Sequence, residues 1–162
     1  MYTGLEIDSI LKSFGERTIL ADVYLKCCRG EIIALFGRNG TGKSTLLNII
    51  FGTLKADRKF IRIDGKVIKG PAFRSGLLAY LPQHPSFPSH LKVSQIAELC
   101  IAPEDRKRFF ADKILFRIRT SRICEISTGE QRYLEIKTTL FSPAPYILLD
   151  EPFSGVSPVV AE

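Results

Sequence analysis

The stretch "GRNGTGKST", Gly37 to Thr45, constrains this chain more than any other. It places three glycines, a lysine and several hydroxyls between two apolar runs, "EIIALF" before and "LLNII" after. Glycine removes Cβ interference and permits positive φ, so successive N–H groups in such a turn can converge on one point. A helix that starts inside the turn adds the positive end of its dipole there. "IIALF", apolar at every position, reads as a strand buried on both faces, as in a parallel sheet covered by helices. Thr45 to Leu54 has the apolar density of a buried helix, although periodicity alone leaves a strand open. Strand, turn and helix together form a nest for phosphate oxygens, and Gly37, Gly42, Lys43 and Ser44 fill the pattern G-x-x-x-x-G-K-[ST] in full. In such a nest Lys43 would reach the β- and γ-phosphates and Ser44 would meet Mg²⁺. Asn39, Gly40, Thr41 and Thr45 line the same loop.

A phosphate nest needs a second metal ligand, and "YILLDEP" supplies one. Its apolar residues read as another fully buried strand, with Asp150 and Glu151 at the C-terminal tip, the edge where ligands of open α/β sheets sit. Asp150 would hold Mg²⁺ directly or through its water, and Glu151 would polarise an attacking water as general base. Elsewhere, Leu5 and Ile7, then Ile19, Ala21, Val23 and Leu25, alternate with period two, which predicts two early strands around a turn at Phe14-Gly15. "FIRIDGKVI" predicts a hairpin, because Asp64-Gly65 suits a two-residue I′ turn. "GLLAYL" is a strand stopped by Pro82, and "PQHPSFPSH" is too rich in proline for regular structure. Helical patterns resume at about Ser94 and after Pro103, and extend to roughly Ile118. In "ISTGEQRYLEIKTTLF", Ser127 and Glu130 have capping-box spacing at a helix start. The order of elements indicates an α/β domain with a helical insertion.

At 162 residues, 45% hydrophobic and 25% charged, the chain has the mix of one soluble globular domain. Its apolar runs fall far short of the roughly 20 residues a membrane span needs. The first residues lack a basic segment followed by a long apolar one, so no secretory signal is expected and the cytosol is the expected compartment. Cys27, Cys28, Cys100 and Cys124 lack C-x-x-C spacing, and reduced, mostly buried thiols are expected. The net charge of +6 suits polyanionic ligands or an acidic membrane surface. The basic clusters "EDRKRFF" and "RIRTSR" read as solvated helix faces.

Taken in order, the glycine loop, "YLPQHP", "ISTGEQ" and "YILLDEP" resemble the nucleotide-binding domains of ABC-type ATPases. "ISTGEQ" is similar to the LSGGQ-like signature that precedes the acidic strand in that family. The resemblance implies a P-loop NTPase three-layer core with an N-terminal antiparallel β subdomain and a small helical insertion at about 88–127, as a single domain over 1–162. It implies ATP and Mg²⁺ as ligands, with Gln83 as the Q-loop glutamine in both a catalytic and a metal-contacting role. Phe14 sits where the family stacks adenine on an aromatic ring. It further implies a head-to-tail dimer, homomeric or with another nucleotide-binding domain, in which Ser127 and Gly129 touch the γ-phosphate held by the partner. Separate transmembrane subunits would complete the assembly, placing this chain in the cytoplasm at the inner face of the membrane, with no nucleic-acid partner. The short interval from Gln83 to Ser127 holds a small helical subdomain and not the long coiled coils of DNA-repair and chromosome-organising relatives.

Three departures from the family pattern stand out. Thr128 replaces the first signature glycine, and Ser157 stands where the family's D-loop aspartate is expected. The family's switch histidine follows the D-loop on a further strand, whereas His84 and His90 both precede the signature. In the family, that further strand lies between the strand feeding the glycine loop and the acidic strand. The expectation is therefore a fold with its C-terminal strands missing, either truncated from a longer product or rearranged into a sheet whose two halves close up or swap with another chain. Three readings remain: an Mg²⁺-dependent ATPase subunit of a transporter, a nucleotide-binding module without turnover, and a soluble ATPase of the same superfamily acting on a ribosome or nucleic acid.

Overall fold

The computed structural model describes residues 3–154, and these divide into two compact units. Ser157 lies outside the described residues.

The first unit runs as far as Ala79 and takes in Ala144–Asp150. Its larger sheet contains β1 (Gly4–Phe14), β2 (Arg17–Cys28), β3 (Arg58–Ile63) and β4 (Lys66–Val67), in the order β2-β1-β3-β4. β1 is paired antiparallel along both edges, by β2 and by β3. The alternation at Leu5 and Ile7 passes through a register shift at Ser9, whose φ is 52°, so that the next buried side chain is Ile10. A second irregularity at Asp22, with φ 53°, accompanies burial of Leu20 in place of the expected Ala21. The expected hairpins form. One turns at Gly15, and the other at Asp64-Gly65 with φ values of 47° and 78°, as a I′ turn requires.

The open choice at Thr45–Leu54 resolves as a helix, α1 (Lys43–Phe51), which buries Leu46, Leu47, Ile49 and Ile50. Gly52 ends it with φ 100°, and a Cβ there would lie 2.6 Å from the backbone nitrogen of Ala72. Glycine is thus demanded at 52 both by conformation and by space.

The expected strand "IIALF" does not form. Residues 31–38 carry no strand pairing, and Ile32 and Phe36 are 97% and 94% exposed. A run that is apolar on both faces is stable as a strand only with sheet neighbours along its edges, and among the described residues it has none. The remaining sheet has two strands, β5 (Leu78–Leu81) and β6 (Tyr146–Leu149). β5 ends at Pro82 as expected. β6 buries Tyr146 and Leu148 while Ile147 and Leu149 stay more than a third exposed, so it is buried on one face and not on both.

The second unit comprises Tyr80–Pro143 and the residues from Glu151 onward. Its helices are α2 (Val93–Cys100), α3 (Arg106–Phe109), α4 (Lys113–Ile118) and α5 (Thr128–Leu140). They close around a core that includes Ile96, Phe109, Leu115 and Leu134. Asp112 breaks α3 from α4 and caps the latter, accepting from the N–H groups of Ile114 and Leu115. The basic clusters serve their own surroundings: Arg106 donates to the carbonyls of Glu98 and Ile101, Arg117 pairs with Glu130, and Arg119 lies 3.8 Å from the Phe116 ring centre. The cysteines are free, but the expectation of mostly buried thiols is corrected. Cys100 and Cys124 are exposed, because the core at these points takes the next or preceding residues, Ile101 and Ile123. No helix among the described residues is long and apolar enough to cross a membrane.

Stability and dye binding both test this geometry. Gly52→Ala should lower stability in urea titration by about 1–3 kcal/mol. Gly15→Ala, where a Cβ meets nothing within 4 Å, should cost less. The exposed run should bind a hydrophobic dye such as ANS, and the pair Ile32→Lys and Phe36→Lys should remove most of that fluorescence without shifting the unfolding midpoint.

Candidate functional site

Within the first unit the glycine loop leads straight into α1. Gly42 is the helix N-cap with φ 96°, and a Cβ on it would lie 2.7 Å from Ile19 Cγ2. The loop therefore lies against β2 as closely as a residue without a side chain allows. Gly40 also has positive φ, at 81°, and with Asn39 it forms the exposed bend of the loop. Thr41 Oγ1 donates to the Arg38 carbonyl at 2.9 Å and crowds Gly37, where a Cβ would meet that oxygen at the same distance. The Lys43 ammonium donates to the carbonyls of Gly37 and Arg38, at 2.8 and 3.1 Å. Thr45 sits half-buried in the first turn of α1.

The next residue of α1, Ser44, carries the contact that joins loop to strand. Its Oγ donates to Asp150 Oδ1 at 3.0 Å, and Asp150, just past β6, is only 3% exposed. A hydroxyl and a buried carboxylate in contact form a pair of hard oxygen donors, the ligand class that Mg²⁺ prefers. These residues fit the ion, and the helix N-terminus with its glycines fits phosphate oxygens. Phe14 closes β1 as a residue 52% exposed, with the Lys12 ammonium 4.9 Å from its ring centre.

The second unit brings together Gln83 and Glu151. The Gln83 amide Nε2 donates to Glu151 Oε2 at 3.0 Å, at the solvent surface. Glu151 has φ 45°, a left-handed conformation that a non-glycine residue adopts at a cost of roughly 1–3 kcal/mol. In the same unit Ser127 caps α5 as its spacing implies. The Glu130 N–H donates to Ser127 Oγ at 3.2 Å, and Ser127 N–H donates to Glu130 Oε2 at 2.9 Å. A Cβ built on Gly129 meets nothing within 4 Å, so the helix start is open to approach.

Two buried charges escaped the sequence reading. Arg132 and Glu135 are 5% and 1% exposed, and their side chains meet at 3.3 Å. Arg132 also donates to the carbonyls of Pro82, Glu151 and Pro152, at 2.7, 2.9 and 3.1 Å. Glu135 accepts from Ser86 N–H at 2.7 Å. Opposite charges three residues apart on a helix are ordinarily a surface pair, and no pattern in the sequence separates the two cases.

The capping box is sensitive to acid. The N–H and then the hydroxyl of Ser127 hold the Glu130 carboxyl below its ordinary value of 4.5, with burial opposing and Arg117 assisting. Because the folded value is depressed, the contribution is complete above pH 4.5 and is lost as the pH falls through the folded value. Ser127→Ala should cost about 1 kcal/mol at neutral pH and flatten the loss of stability below pH 4.5. Urea titrations at a series of pH values check both.

The ABC transporter family model matches residues 20–154. A probable ABC transporter ATP-binding protein of Azorhizobium caulinodans is 37% identical over 93% of this chain, and the chain spans 58% of that relative's length. The lipopolysaccharide export system ATP-binding protein LptB of Haemophilus influenzae is 33% identical over 96% of this chain, which covers 70% of it. Among solved structures, an ATP-binding subunit of an ABC transporter superposes with a TM-score of 0.85 at 27% identity, over 98% of this chain and 70% of its own. The glycine loop, the capped signature-like helix and the acidic strand end all fall inside the matched span, and the chain belongs to the ABC transporter family.

Proposed function

We propose that this chain is the ATP-binding component of an ABC transporter and that it hydrolyses ATP with Mg²⁺. The observation that carries the proposal is the Ser44–Asp150 contact, which brings the hydroxyl of the glycine loop onto the carboxylate at the strand end. In this reading Lys43 exchanges its two loop carbonyls for the β- and γ-phosphates, and the N–H groups from Gly37 to Thr45 surround them. Ser44 and Asp150 would hold the metal, which would supply positive charge against the negative charge that develops in transfer. Glu151, joined to Asp150 by one peptide bond, accepts a proton from the attacking water. The Gln83 amide occupies one of its carboxylate oxygens and leaves the other as the acceptor. Gln83 would also reach the metal, and Phe14 would stack on the base.

The relatives named above are ATP-binding proteins of export or transport systems, and the proposed assembly follows them. Separate membrane subunits form the pathway, and this chain works at the cytoplasmic face as one half of a head-to-tail pair. There Ser127 and Gly129, at the open start of α5, touch the phosphate held by the other half. One nucleotide-binding domain over the whole chain, with a helical insertion at about 88–127, is the organisation this reading requires.

Lys43→Ala should weaken ATP binding by on the order of 100-fold, measured with a fluorescent ATP analogue. Glu151→Gln should keep binding, abolish phosphate release, and convert the chain to an ATP-dependent dimer in sedimentation. ATP binding with no phosphate release from the unmutated chain would replace hydrolysis with the module reading. A Glu151→Gln chain that stays monomeric in saturating Mg-ATP would remove the head-to-tail pair.

A further inference from the structure

We infer that Arg132 is the positioning residue for the Gln83–Glu151 pair, through three backbone carbonyls on the two segments that carry it. The inference rests on the roles given to Gln83 and Glu151 above, and adds the group that sets their distance.

The guanidinium is taken almost wholly out of water, and burial of a charge is tolerated only where a partner and further hydrogen bonds replace solvent. Glu135 is the partner. The further bonds go to Pro82, the residue before Gln83, and to Glu151 and Pro152. Glu135 adds a second tie to the first segment by accepting from the N–H of Ser86. One rigid side chain on α5 therefore grips both segments beside the residues that meet at 3.0 Å.

Neither segment has a strand ladder to hold it, and the second has one backbone bond of its own, from Ser154 N–H to the Glu151 carbonyl. Pro82, Pro85 and Pro88 deprive the first of amide donors, and Pro152 does so for the second. Glu151 sits in a left-handed conformation that persists only where its surroundings over-determine it. Its carbonyl accepts from Arg132 and from the N–H of Ser154, at 2.9 and 3.1 Å. Guanidinium suits this task because its donors lie in a fixed plane, whereas an ammonium on a flexible stem can keep the charge but cannot span three carbonyls.

Arg132→Lys retains the charge opposite Glu135 and removes the fork, so it separates positioning from stability. In the purified full chain it should lower kcat for ATP roughly 10- to 100-fold. KM should stay within about twofold, since Lys43, Ser44 and Asp150 are untouched. Amide hydrogen exchange at Ser86 and Ser154 should speed by at least about tenfold, with the amides of α1 and α2 keeping their protection. Glu135→Gln should reproduce both effects more weakly. An unchanged kcat in an active chain, unchanged exchange at Ser86 and Ser154, or exchange raised equally everywhere would each overturn the inference. If the unmutated chain binds ATP without hydrolysing it, the hydrolytic reading fails separately and exchange decides alone: acceleration confined to the two segments upholds the positioning role, and its absence removes it.

Discussion

Backbone groups withdrawn from water must be paired, and the two units meet that demand by different means. In the first, β1 lies between β2 and β3, so strand ladders satisfy the backbone beneath the buried Leu5, Ile7 and Ile10. In the second, proline-rich and irregular segments cannot form ladders, and a side chain takes their place. Arg132 there does for three carbonyls what a neighbouring strand does for a ladder. The segment 32–36 fits neither scheme: it has no strand pairing, and Ile32 and Phe36 stand almost fully exposed.

The glycine loop is bound to the fold by exclusion of volume. Gly42 is so near Ile19 and Leu20 that β2 serves as the wall against which α1 begins. The loop's conformation is thereby tied to the hairpin, and the hairpin's register is tied in turn to the bulges at Ser9 and Asp22. The glycine loop is in this way held by a sheet in whose strands none of its own residues lies.

Features that depend on neighbours in sequence were readable. The loop at 37–45, the Asp64-Gly65 turn and the Ser127–Glu130 box each rest on residues within a few positions of one another, and each has the geometry its composition implies. The family resemblance carried by the ordered motifs agrees with the match over residues 20–154. What depends on distant partners was not readable. "IIALF" has the composition of a buried strand, but burial is conferred by neighbours along its edges, and among the described residues none pairs with it. β6 loses one covered face for the same kind of reason. The bulges hide because one inserted residue changes which side chains point inward without changing their hydrophobicity. Arg132 and Glu135 hide because a buried ion pair and a surface ion pair are written with the same two letters.

Lys43 has a consequence for discrimination among anions. Its ammonium gives two of its three N–H donors to carbonyl oxygens of its own loop, at 2.8 and 3.1 Å, so an incoming anion would meet the third donor beside two carbonyl oxygens. A small monovalent ion would gain that one contact against the partial charges of the two oxygens and has little to gain in water. A polyphosphate chain bound as proposed would bring several charged oxygens at once and reach the helix N-terminus as well as the lysine. The proposed site would thus set a threshold of valence before any preference among nucleotides, with simple anions opposed by the loop's own carbonyls.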